Sequence, residues 1–225
     1  MDRKEGMHMK LTEILDQMHL DAMLITNPYN MRYVSHFRGG EGILLISRKS
    51  RVLITDSRYT EAAKQESDFQ VEECNHLRKT TDILNDWIER EQLLTVGYED
   101  ASMLCSTFRE YQTGLPAIKE WIPLGVAVTR LRQIKTPEEI GYLRQAEAIG
   151  DAAFTKILDI IKPGMTELEI QAELEYQMMK CGASGTSFDT IVASGIHSSM
   201  PHAIPGRKKL EAGDFVTMDF GCKYE

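Results

Sequence analysis

Apolar positions along the chain fall into short unbroken runs and helical stripes, and their order lays out the elements. Leu11, Ile14, Leu15 and Met18 recur at helical spacing. Ala22 to Ile25 then forms a short apolar run that predicts a buried strand, and Asn27-Pro28-Tyr29-Asn30 reads as a turn. Two further runs, Ile43 to Ile46 and Val52 to Thr55, are joined by polar Ser47 to Ser50 and predict a β-hairpin. Helical patterns follow around Tyr59 to Lys64, Thr80 to Glu91 and Met103 to Tyr111, with strand patterns at Thr95 to Tyr98 and Ile118 to Ile122. Strands and helices mixed in this way predict one α/β unit, a mixed sheet with flanking helices.

The pattern changes after Arg130. Thr136-Pro137-Glu138-Glu139 has Thr at the N-cap, Pro at the first helical position and Glu closing a capping box. Ile140, Leu143, Ala153, Ile157 and Ile160 carry the apolar face of the helix that starts there. A second capping box, Thr166 with Glu169, opens a helix bearing Ile170, Leu174 and Met178, which Gly182 stops. Asp189 to Val192 and Phe215 to Phe220 read as strands. The chain is thus expected to divide near Gln133: an extension over residues 1–9, a first domain over 10–132 and a second over 133–225.

Composition narrows the chemistry. Twenty-six Lys and Arg against thirty-four Asp and Glu give a net charge of −8, and there is no basic run, which argues against nucleic acid and against an anionic membrane as partners. The longest apolar runs are far too short to span a bilayer. The opening Met1-Asp2-Arg3-Lys4-Glu5-Gly6 is charged and leads into no apolar segment, so no secretory signal is read. Cys74, Cys105, Cys181 and Cys222 form no CxxC pair, and free thiols in a reducing cytoplasm are the expectation.

Few motifs carry chemistry by themselves. Gly39-Gly40-Glu41-Gly42 precedes a strand instead of following one, so it reads as a tight turn and not as a dinucleotide loop. Asp219-Phe220-Gly221 lacks the catalytic and nucleotide loops that a kinase needs alongside it. In the strand Phe215 to Phe220, residues Val216, Met218 and Phe220 share one face, and Asp219 shares the other with Phe215 and Thr217. A carboxylate in so apolar a strand is hydrogen-bonded, metal-bound or at a rim, because an unpaired buried charge is costly. A strand-end Asp facing a turn and a functional Asp both satisfy that. Of the six histidines, His197 and His202 lie in the polar stretch Ser194 to His202 between two predicted strands, where functional groups are commonly carried.

Several segments taken together resemble a known family. Asn30-Met31-Arg32-Tyr33 with Thr55-Asp56-Ser57-Arg58-Tyr59 resembles the creatinase-type N-terminal domain. Leu131 to Glu139, Ser187 to Gly195, Pro201-His202 and Met218-Asp219-Phe220-Gly221 resemble, in that family's order, the pita-bread metallopeptidase domain of Xaa-Pro aminopeptidases and Xaa-Pro dipeptidases (prolidases). The resemblance implies a creatinase-type α/β domain followed by an incomplete α+β pita-bread domain. It implies two divalent ions, manganese, cobalt or zinc, held by two Asp, one His and two Glu. Asp219 matches the first of these Asp ligands, and the other four would fall beyond Glu225. His202 matches the family's histidine that bonds the substrate or the tetrahedral intermediate, which makes it the catalytic and substrate-binding residue; His197 matches no ligand and stays a loop residue. The expected protein is a cytoplasmic homodimer acting on short proline-containing peptides, of which this chain is a fragment inactive by itself. A creatinase-like metal-free hydrolase and a non-catalytic pita-bread peptide-binding module are the alternatives.

Overall fold

The computed structural model describes residues 3–225, with side chains from residue 6 onward. It resolves into two units, residues 1–134 and 135–225.

In the first unit, α1 (Arg3–Gln17), β1 (Ala22–Ile25), α2 (Pro28–Ser35), β2 (Ile43–Ser47), β3 (Arg51–Asp56), α3 (Thr60–Glu66), β4 (Gln70–Cys74), α4 (Thr80–Glu91), β5 (Thr95–Tyr98), α5 (Cys105–Gly114), β6 (Glu120–Pro123) and α6 (Ala127–Arg130) follow in order. The six strands form one sheet ordered β4-β3-β2-β1-β5-β6. β1–β2 and β2–β3 pair antiparallel, whereas β1–β5, β3–β4 and β5–β6 pair parallel. Both faces are covered, so β1 and β2 are buried at every position. Met23, Ile25, Leu44, Ile46 and Leu53 enter one core with Leu11, Leu15 and Phe37. Their alternates Leu24, Ile43, Leu45, Val52 and Ile54 enter a second core with Ile83, Leu84 and Trp87.

Three expectations for this unit change. Residues 3–9 belong to α1 and are no extension: Met7 is buried one turn before Leu11 and completes the same apolar stripe. Asn27-Pro28 opens a helix instead of a turn. The Asn27 side chain accepts from the Tyr29 and Asn30 amides at 3.0 and 3.2 Å, and Pro28 takes the first helical position, where its missing N–H costs nothing. β4 has no counterpart in the sequence reading. As an edge strand with the sequence QVEEC, it sends chiefly Val71 toward the core. The turn before β2 needs glycine at Gly42, where φ is +141° and a Cβ would sit 2.4 Å from the Ile54 carbonyl oxygen.

Buried Glu99 holds the start of α2. Its Oε2 accepts from the Thr26 and Asn27 amides, each at 2.6 Å, and its Oε1 from Asn30 Nδ2, also at 2.6 Å. Asn30 Oδ1 in turn accepts from Arg132 Nε at 2.9 Å, and the Tyr33 hydroxyl donates to the Leu131 carbonyl at 2.9 Å. The segment leaving α6 is thereby tied back to α2.

The second unit contains α7 (Pro137–Ile160), α8 (Glu167–Lys180), β7 (Gly185–Thr186), β8 (Ile191–Ser194), the 3₁₀ turn η1 (Gly195–Ser199), β9 (Val216–Asp219) and β10 (Cys222–Lys223). Both capping boxes form, with Thr136–Glu139 and Thr166–Glu169 bonded reciprocally. β8 pairs antiparallel with β9, and β7 with β10. Ile149, Ala153 and Ile157 of α7 pack with Ile170, Leu174 and Met178 of α8 and with Val192. Ile140 and Leu143, expected on the buried face, are 39% and 56% exposed. At 14 residues α8 is too short to cover the 24 of α7. No helix among the described residues is long and apolar enough to cross a membrane.

Replacing Glu99 by Gln leaves one of three buried donors facing an amide NH₂. A loss of about 2–3 kcal/mol of stability is expected, measured as a lower urea midpoint for this unit.

Candidate active site

The chain leaves β8 at Ser194 and turns sharply at Gly195, whose φ is +53°. A Cβ there would lie 2.6 Å from Asp214 Oδ1, and the positive φ strains an L side chain, so glycine is favoured. Residues 195–199 form η1, Pro201 and His202 occupy an exposed turn, and the segment 206–209 crosses the start of α8, with one antiparallel bridge between Lys209 and Thr166. There the Gly206 and Lys208 carbonyls accept from the Leu168 and Glu167 amides at 3.2 and 3.1 Å, satisfying two donors that a helix start leaves open.

The loop closes around Glu167, the first residue of α8, which is buried. Its Oε1 accepts from the Ser194 amide at 2.8 Å, the Ser194 hydroxyl at 3.0 Å and His197 Nδ1 at 3.0 Å. Its Oε2 accepts from the Gly206 amide at 3.1 Å. An ionised carboxylate only accepts, so Nδ1 of His197 carries the proton. The network continues outward: Lys208 Nζ donates to Ser194 Oγ and to Asp214 Oδ2, both at 3.0 Å. Burial pushes the Glu167 carboxyl up, but the Ser194 and Gly206 amides, the Ser194 hydroxyl and the His197 ring together hold it below the ordinary glutamate value.

The two residues singled out from the sequence lie elsewhere in this unit. His202 is exposed on the loop, between the Ser194 and Gly206 anchors. Asp219 is the last residue of β9, exposed and paired in register with Ile191, on the face it shares with Thr217. Val216 and Met218 turn the other way, into the core. The loop departs from the opposite end of the β8–β9 pair, where Ser194 pairs with Val216. Among the described residues no three His, Cys, Asp or Glu side chains converge as a metal site, and one exposed carboxylate is not a ligand set. The donors present therefore do not fit a divalent ion by themselves. Cys74, Cys105, Cys181 and Cys222 are free.

Glu167 escaped the sequence reading because Thr166 and Glu169 account for the helix start without it. The signal available was a Glu at the first helical turn followed by Ser194-Gly195, which only the fold connects.

The Glu167 carboxyl is shifted down from 4.5 on folding. Its contribution to stability is therefore complete above that value and is lost as the pH falls through the lower folded value. The urea midpoint of the wild-type chain is expected to fall more steeply below pH 4.5 than that of Glu167→Gln; parallel profiles would refute this.

Residues 8–134 match the Creatinase/Prolidase N-terminal domain, and residues 141–225 match Metallopeptidase family M24. An uncharacterized peptidase of Bacillus subtilis is 41% identical over 96% of this chain and 61% of its own length. A Xaa-Pro dipeptidase of Pyrococcus horikoshii is 32% identical over 96% of this chain and 60% of its own. The solved structure of a Xaa-Pro dipeptidase from Bacillus anthracis superposes with a TM-score of 0.90 at 38% identity, covering 99% of this chain and 62% of that one. This chain thus spans about three-fifths of the length of the relatives it matches. It belongs to the creatinase/prolidase family, a Creatinase/Prolidase N-terminal domain followed by part of an M24 peptidase domain.

Proposed function

We propose that this chain is the N-terminal part of a cytoplasmic metal-dependent Xaa-Pro peptidase, which releases the residue preceding proline from short peptides or dipeptides. The observation that supports this most is the likeness over 99% of the chain to a solved Xaa-Pro dipeptidase at 38% identity. The M24 match adds a metallopeptidase character that the described donors do not provide by themselves. In this reading Asp219 is one ligand of a centre holding two divalent ions, manganese by preference, whose remaining ligands come from a segment following Glu225. The protein works as a homodimer.

Proline suits such a site because its nitrogen bears no proton in the peptide and its ring fixes φ. A pocket shaped to that ring grips a bond that offers no N–H to an ordinary peptidase. His202 is exposed on a loop held at both ends, and so is available to a ligand. As a donor to the attacked carbonyl it stabilises the negative charge that develops there.

The protein extended to the length of its relatives is expected to hydrolyse Xaa-Pro dipeptides or Xaa-Pro-Yaa tripeptides when manganese is supplied. No turnover of either substrate class would sink the reading. In that protein His202→Ala is expected to lower kcat by about a hundredfold. The 225-residue chain alone is expected to show no turnover and to retain no stoichiometric manganese after desalting, as metal analysis would establish.

A further inference from the structure

One carboxylate ties down both ends of the loop that carries His202. Glu167 accepts from Ser194, where the loop leaves β8, and from Gly206, where it returns to α8. It also accepts from the His197 side chain within the loop. From His197 the backbone steps toward His202 in two hydrogen-bonded turns: the Met200 amide donates to the His197 carbonyl at 2.9 Å, and the Ala203 amide to the Met200 carbonyl at 3.2 Å. Ala203, beside His202, is buried, whereas His202 is exposed. Glu167 thus reaches the His202 backbone from both ends of the loop, and the Gly195 amide adds a bond to the Phe215 carbonyl at 2.9 Å.

We propose that Glu167 is a positioning residue for His202, fixing through Ser194, His197 and Gly206 the backbone from which the imidazole meets the peptide. This rests on the reading that His202 donates to the attacked carbonyl. His197 is the accessible arm of the device: its side chain is 35% exposed while that of Glu167 is 1% exposed. A donor aimed at a developing charge must be held before the reaction begins, and a displacement of about 1 Å can cost about a hundredfold in rate. Rigid anchoring at three points supplies that constraint; a surface loop of this length without it would sample many positions. Lys208 extends the anchor by donating to Ser194 Oγ, and Asp214 in turn accepts from Lys208.

The test is a double-mutant cycle in the protein extended to the length of its relatives, with Xaa-Pro dipeptide as substrate. Glu167→Gln is expected to lower kcat about tenfold or more while KM moves less than about threefold. In a His202→Ala background the same substitution should cause no further loss, because it acts through that histidine. His197→Ala leaves the buried anchors intact and folds without a buried vacancy, so it is expected to give a smaller kcat loss that also vanishes beside His202→Ala. Hydrogen exchange on the 225-residue chain supplies a readout free of catalysis. Glu167→Gln should raise exchange at the Ser194, Met200, Ala203 and Gly206 amides while those of β1 and β2 stay protected. Unchanged kcat in Glu167→Gln, equal losses with and without His202, or unchanged exchange across the loop would each overturn the proposal. Absence of wild-type turnover would instead overturn the functional reading beneath it.

Discussion

A buried carboxylate survives in a protein only if donors replace the water it has lost, and Glu167 meets that condition with four protein groups. The second unit is organised around this requirement. The donors come from the end of β8 and the adjoining η1 and from the segment that crosses α8, so satisfying one charge ties both ends of the loop to a helix start 27 or more residues earlier. Gly195 allows the chain to turn toward the carboxylate, and Asp214 closes against the same glycine from the far side. The exposed histidine of this loop is thus carried by backbone whose path is set from within the unit.

The first unit uses the same device. Glu99, from the end of β5, accepts two amides and one side-chain amide at the start of α2, and Asn30 passes the connection on to Arg132. In both units a buried glutamate sits beside a helix start, where the helix dipole favours its negative charge, and accepts from backbone and side-chain donors of the neighbouring segments. A hydrophobic core would hold the sheet and helices together but would leave the connecting segments loose. The two carboxylates fix those segments, the one that bears His202 directly and the one that bears Arg132 through Asn30.

Much of the fold was legible wherever the information is local. Ala22 to Ile25, the hairpin Ile43 to Thr55, Thr95 to Tyr98 and the helix over Thr80 to Glu91 stand where the apolar pattern put them, because burial on both faces demands unbroken apolar runs. The capping boxes at Thr136 and Thr166 fixed two helix starts for the same reason, each being a bond between residues three apart. β4 was not legible, since an edge strand keeps one side polar and QVEEC carries little apolar pattern. Asn27-Pro28 was misread because the same dipeptide serves a turn and a helix start; Glu99, 72 residues away, is part of what makes it a helix. Ile140 and Leu143 show the converse, a helical stripe that is apolar in sequence but uncovered here.

The candidate site divides along the same line. Asp219 and His202 could be singled out from the chain because their neighbours in sequence form recognisable motifs, and strand alternation alone put Asp219 on the face away from Val216 and Met218. Glu167 could not. Its partners Ser194, His197 and Gly206 lie 27, 30 and 39 residues further on, and no local pattern records a bond across such distances. His197, set aside from the sequence as an ordinary loop residue, acquires a role only because folding brings its ring to that carboxylate. The sequence by itself determined the buried strands of the first unit, the two helix starts with capping boxes and the family, since each is written in periodicity or in contiguous motifs. Only the tertiary structure decided how the loop bearing His202 is held, because a buried charge takes its donors from wherever the fold places them.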